Sequence, residues 1–269
     1  MPTPIVAIRN LCLRHSQINW ALADQTMVSG VNFLTGILIV RYLGLEEFGR
    51  FTLAWMTVLF FNSLQAAAII SPMMSIGPKQ DENQQSVYYG AVMLQQLFWA
   101  GCSFPLLLLG VWFSQFIFPE WKIQMLALPL ASVLAFFQLQ DFLRRYFFSR
   151  GCAAHAFLND GISYLGQLLL LIFLFNYIAL DSRWVLWSIA GTSAIAFLVG
   201  LLNLGHLTFS RADLFSITSR HWRFARWLMA SAILQWTSGN FFLVVAGNML
   251  GPIAVGAVRA AQNIIGITH

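Results

Sequence analysis

Six stretches of this chain contain no lysine, arginine, aspartate or glutamate: 51–78, 83–119, 123–140, 161–180, 184–210 and 227–258. A helix of about 17–25 apolar residues crosses a hydrocarbon core of roughly 30 Å, so each stretch can hold one span. A further span, near 20–41, precedes them and carries a single acid, Asp24. Strands of a membrane barrel would instead read as alternating segments of about 10 residues. Only helices fit these lengths, because in lipid every backbone polar group must be satisfied within its own segment. Composition agrees. Of 269 residues, 58% are hydrophobic and 9% charged, with a mean hydropathy of +0.70, whereas a soluble domain is about 25% charged. So few charges cannot wet a globule of this size, which excludes a soluble enzyme, a disordered chain and a nucleic-acid-binding domain despite a pI near 9.4.

The fold class expected is an all-α integral membrane protein, a polytopic helical bundle. Seven spans are predicted near 20–41, 51–72, 87–110, 123–143, 160–180, 184–204 and 227–249, with an eighth beginning near Gly256. Seven of the 10 tryptophans fall near span ends, as interfacial aromatic belts require. The N-terminus and the even-numbered connections hold ten Lys and Arg, among them Arg144, Arg145, Arg220 and Arg223. The odd-numbered ones hold five: Arg41, Arg50, Lys122, Arg183 and Arg259. That bias predicts a cytoplasmic N-terminus. The first span is too long for a signal-peptide core and lacks a small-x-small cleavage site, so it reads as uncleaved. Cys12, Cys102 and Cys152 are odd in number and far apart, which supports neither a disulfide framework nor a zinc site.

One motif occurs twice. Leu43-Gly44 with Gly49 closes the first span, and Leu250-Gly251 with Gly256 closes the seventh, offset throughout by 207 residues (251 − 44). A repeat of six spans is even, so both copies point the same way, and such units are related by an axis along the membrane normal. The domains expected are a six-helix lobe over 1–210, an interfacial basic and aromatic linker over 211–226, and the start of a second, pseudo-repeated lobe over 227–269.

The segment Ser29–Phe51, with Arg41, Gly44, Glu46, Glu47, Phe48 and Gly49, resembles the opening of the polysaccharide flippases. These belong to the superfamily that includes multidrug and toxic compound extrusion antiporters and lipid II flippases. Val245–Gln262 resembles the start of that family's second lobe. The resemblance implies an inner-membrane flippase, or a truncated part of one, since family members usually have twelve or more spans. It would move a polyprenyl-diphosphate-linked oligosaccharide outward for bacterial surface-polysaccharide assembly, by alternating access between two lobes. The implied partners are that lipid-linked substrate, membrane lipid, a coupling proton or sodium ion, and a polysaccharide polymerase complex or a separate second-lobe chain. No nucleic acid is expected. A cation-coupled drug antiporter is the nearest alternative, a non-transporting subunit another. A membrane glycosyltransferase or polymerase is disfavoured, because no external connection exceeds about 15 residues.

Polar side chains within spans mark the candidate pathway, because an ionisable group at membrane depth costs roughly 2.5–3.5 kcal/mol. Asp24 shares a face with Asn32 and Thr35, and either lines a cavity or snorkels to the headgroups. Asn62 and Gln65 pair in span two. Gln138, Asp141 and Arg145 follow helical spacing in span four, as do Asp160, Tyr164 and Gln167 in span five. Ser231, Gln235 and Ser238 line one face of span seven. Such groups either face a wet interior or bond helix to helix. For a diphosphate, arginine is the natural bidentate partner. Arg41 and Arg259 stand where an outer exit is expected, Arg144 and Arg145 at the cytoplasmic entrance, and lipid anchoring is an equal reading for all four. No nucleophile–base pair, phosphate loop or metal-ligand cluster is present, so neither catalysis, cofactor nor metal is expected.

Overall fold

The computed structural model describes residues 4–117, 123–177 and 181–265, and all of its regular elements are helical. They are α1 (Pro4–Gln65), α2 (Ser71–Ile76), α3 (Glu82–Ile117), α4 (Ala127–Ser149), α5 (Ala153–Asp160), α6 (Gly166–Tyr177), α7 (Ser182–Leu202), α8 (Arg211–Leu250) and α9 (Pro252–Ile265). Six helical segments are long and apolar enough to cross a membrane. Trp121 and Lys122, expected at a span end and in a connection, lie outside the described residues.

The first of these segments is not straight. At Gly44 the backbone takes φ 80° and ψ 173°, outside the helical region, and a positive φ of this kind is accessible at little cost only to glycine. Asp24 and Gln65, on opposite sides of it, would stand about 60 Å apart on an unbroken helix. Both instead reach α4, Asp24 at Arg144 and Gln65 at the Gln138 carbonyl. The chain therefore folds back at Gly44. The connection of several residues expected around 42–50 is in fact a single-residue turn. Glu46 and Glu47 both pair with Arg50 one turn along, which carries helix right up to the turn.

Gly251 repeats the device. It lies between α8 and α9 with φ 81° and ψ 176°. The residues 207 apart that share a motif thus share a backbone conformation. The expected interfacial linker over 211–226 is not a separate element, because α8 runs unbroken for 40 residues, about 60 Å. Its first half is pinned to α3. The Tyr88 hydroxyl and His221 Nε2 lie 2.8 Å apart, and Gln95 donates to Thr218 at 2.9 Å. Just before α8, the Thr208 amide donates to the Ser86 carbonyl, and the backbones approach so closely that only glycine fits at Gly90.

The side chains are distributed inside out relative to a soluble protein. Phe98, Leu106, Leu109, Phe113 and Phe116 of α3 are exposed, as are Leu169 and Phe173 of α6, while Asp24, Gln65, Gln96, Gln138 and Asp160 are wholly buried. Exposed apolar patches of that extent are rare on soluble monomers and are the ordinary outer surface of a helical bundle in lipid. Two apolar cores lie within. One gathers Ile39, Phe48, Phe51, Leu130, Leu134, Val185 and Ile189 toward the Gly44 end and takes in Leu243 and Val255. The other gathers Met73, Tyr88, Tyr89, Phe142, Tyr146 and Phe197. Between Phe137 and Tyr146 of α4 stand Gln138, Gln140, Asp141 and Arg144, interleaved with Leu139, Phe142 and Leu143 of the second core, so a polar layer runs alongside that core on another face of α4.

Candidate functional site: a buried charge cluster beside a polar cavity

At the centre of the polar layer is Arg144, with its side chain 11% exposed. Its Nη2 donates to Asp24 Oδ2 at 2.7 Å, and its Nε lies 2.7 Å from Asp160 Oδ2. Gln140 Nε2 donates to Asp160 Oδ1 at 2.7 Å and to Asn159 Oδ1 at 2.8 Å, and Asn159 in turn donates to the Ala196 carbonyl of α7 at 2.7 Å. Asp141 and Arg145, one turn apart at 3.5 Å, neutralise each other. The trio of Asp24, Arg144 and Asp160 therefore ties together α1, α4 and α5, with two carboxylates sharing one guanidinium. Arg144 is thus a buried counter-ion and not a contact for headgroups at an entrance. Asp24 is wholly buried as well, which removes the snorkelling alternative.

A second polar group lies nearby. Gln65 Nε2 donates to Gln96 Oε1 at 2.9 Å and to the Gln138 carbonyl at 2.8 Å. Each polar group adjoins an irregularity in its helix. Gln65 precedes a π-turn at Ala66–Ile70, and Asp160 precedes another at Gly161–Leu165. A π-turn inserts one residue and rotates the remainder of the helix. Of the predicted trio, only Tyr164 and Gln167 line the cavity, although Tyr164 adjoins Asp160. Asn62 stays half-buried above Gln65.

The cavity measures about 1020 Å³ and runs along the inside of both limbs of α1, from Gln25 and Thr26 past Asn32, Thr35 and Gly36 to Phe51. Asp24 is not among its lining residues, so the predicted stripe of Asp24, Asn32 and Thr35 is divided between lobe interior and cavity. Its far walls face each other across the repeat. Thr52, Trp55 and Met56 lie on α1, and Arg259, Gln262 and Asn263 on α9, each pair offset by the same 207 residues. Asn240 of α8 closes the side. Arg259 is, among the described residues, the single charged residue of this lining. It hydrogen-bonds to Gln262 at 3.3 Å and, among the described residues, pairs with no carboxylate.

Gln235 and Ser231 line a smaller groove of about 470 Å³ between α8 and the second limb of α1, and Ser238 is exposed outside it. Arg41 is exposed, set over the ring of Tyr42 at 5.9 Å, and does not reach the cavity. Gln96, Gln140 and Asn159 belong to the buried network and are not singled out by the sequence pattern. A lone amide in an apolar helix signals nothing until its neighbours are known, although two adjacent glutamines at mid-span, Gln95 and Gln96, are a clue that periodicity alone passes over.

The two glycine turns meet directly. A Cβ on Gly49 would lie 1.8 Å from the Pro252 carbonyl oxygen, and one on Gly256 would lie 2.2 Å from that of Leu45. Pro252 is the repeat position of Leu45, and Gly256 that of Gly49, so the contact is reciprocal, as a local two-fold relation requires. The molecule is thus an all-α protein with apolar, membrane-length helices around a polar interior. No known protein family, curated protein or solved structure matches this chain.

Proposed function

We propose that this chain forms a transport lobe of the polysaccharide-flippase kind, together with the first hairpin of a second lobe. It moves an amphipathic anion, a polyprenyl-diphosphate-linked oligosaccharide, across the bacterial inner membrane from a cytoplasmic N-terminal side. One observation carries the reading. The cavity between the repeat-related hairpins has an aromatic wall at Trp55, a wall of amides, and a single charge, the cation Arg259. Guanidinium binds phosphate oxygens in bidentate fashion, amides and hydroxyls suit sugar, and the tail stays in lipid. Asp24 and Asp160, with one arginine between them, are the groups that take up a coupling proton or sodium ion.

A cation-coupled drug antiporter is the second reading, favoured by that excess of acid. The acids, however, are turned away from the cavity, and its one charge is positive, which suits an anionic cargo better than a cationic drug. Proteoliposomes holding fluorescent polyprenyl-diphosphate sugar test the choice. Loss of leaflet protection with wild-type protein, at least tenfold slower with Arg259→Gln and intermediate with Arg259→Lys, supports the flippase. No loss of protection with wild-type protein, or transport of organic cations only, would exclude it, and equal flipping by the three proteins would remove Arg259 from the binding site.

A further inference from the structure

We propose that the reciprocal backbone contact of Gly49 and Gly256 is the closed gate of the cavity on the Gly44 face, so that the chain stands here open toward the opposite face. The inference rests on the transport reading and adds to it which end is shut and by what. The lining runs from exposed Gln25, Thr26 and Ser29 to buried Ile39. Beyond Ile39 come Phe48, Gly49, Val255 and Gly256, all buried. Thr52 and Arg259 each stand three residues past a gate glycine and still line the cavity, so the seal is one helical turn thick.

Phe48 and Val255 pack beside it, but the closest approach is between backbones. The first turns after Gly44 and Gly251 touch through their own carbonyls, at Leu45 and Pro252, because Gly49 and Gly256 have nothing to interpose. Real Cβ atoms do not approach backbone oxygen as closely as 1.8 or 2.2 Å, and neither carbonyl is the end of a flexible side chain that could move aside. Any larger residue at either glycine therefore holds the helices apart. Open space surrounds Gly101, where no atom lies within 4 Å of a Cβ, and it serves as the control position.

The test uses the full chain with Cys12, Cys102 and Cys152 replaced by serine and Ser29→Cys as a reporter in the cavity. Membrane vesicles of both orientations are treated with an impermeant maleimide. The reporter should label from the face opposite Gly44. Gly49→Val and Gly256→Val should each raise labelling from the Gly44 face about tenfold, a shift of a two-state equilibrium by a similar factor, and Gly101→Val should leave it unchanged. Where a valine chain does not fold, Gly256→Ala places one methyl against the same carbonyl and should act in the same direction. Unchanged labelling from the Gly44 face in folded variants, or an equal rise with Gly101→Val, overturns the gate. The readout needs no substrate. A chain that switches sides but moves no lipid-linked sugar keeps the gate and loses the flippase assignment.

Discussion

Arg144 illustrates what a single side chain does in this interior. Two carboxylates out of water repel each other unless a cation lies between them, and deleting one member of a buried ionic group leaves an uncompensated charge costing about 3–5 kcal/mol. Arg144→Gln should therefore lower the melting temperature in detergent sharply. Adding Asp24→Asn and Asp160→Asn to it should recover much of the loss, since a neutral trio strands no charge. A triple variant no more stable than Arg144→Gln alone would show that the arginine acts by packing, for instance over Phe148, where it sits at 5.8 Å. At this scale the sequence is half legible. An isolated acid in an apolar run singles out Asp24, because the cost of inserting it is large, but leaves open whether it lines a cavity or snorkels to the headgroups. Nothing in a pair of arginines near a span end says which of the two turns inward. That choice depends on Asp160, sixteen positions away and on another helix.

Among elements, the turns and the π-turns decide where side chains point. Gly44 and Gly251 hold a φ near +80°, which an alanine adopts only with strain of roughly 1–3 kcal/mol. Gly44→Ala and Gly251→Ala should each destabilise by that order in denaturant or thermal melts, whereas Gly30→Ala, at an ordinary helical position with open space around it, should not. At the start of α7, Asp181 accepts from the amides of Arg183 and Trp184. Nearby, Ser182 Oγ donates to Glu47 Oε2 at 2.7 Å, which fastens the Gly44 turn to the start of α7. The spacing of two glycines is visible in the sequence, and so is its repetition. The tightness of the turn is not, because charged residues at 46, 47 and 50 imitate a solvated loop while in fact pairing along a helix. The π-turns leave no trace that periodicity can read, since one inserted residue shifts a helical pattern without interrupting its hydrophobicity.

For the whole molecule, the charge cluster and the cavity are neighbours: Asp24 pairs with Arg144 of α4, whereas the adjoining Gln25, together with Phe137 and Tyr164 from the helices that carry the cluster, lines the cavity. On the transport reading proposed above, an ion taken up by the cluster would act on α1, α4 and α5 while the cargo is held by other residues. Asp24→Asn and Asp160→Asn should abolish the dependence of flipping on a proton or sodium gradient while leaving the affinity for lipid-linked sugar within about threefold of wild type, a difference well under 1.4 kcal/mol. Comparable loss of affinity would place the cluster in the binding site instead. The long apolar helices are legible from charge placement alone, since charges are what lipid forbids. The internal layering is not, because amides and acids look alike whether they face a partner helix or water.

The local two-fold relation has a consequence for how such a cavity can arise at all. Two identical chains meeting at an axis must present the same residues on both walls. Two arginines would then confront each other, or none would be present, and an aromatic wall would always face its own copy. Carrying both hairpins in one polypeptide lifts that constraint, because positions related by symmetry are encoded separately. Thr52, Trp55 and Met56 can then remain opposite Arg259, Gln262 and Asn263, so the geometry stays symmetric while the chemistry becomes polar from one side to the other. Any molecule held between unlike walls has only one way round to lie.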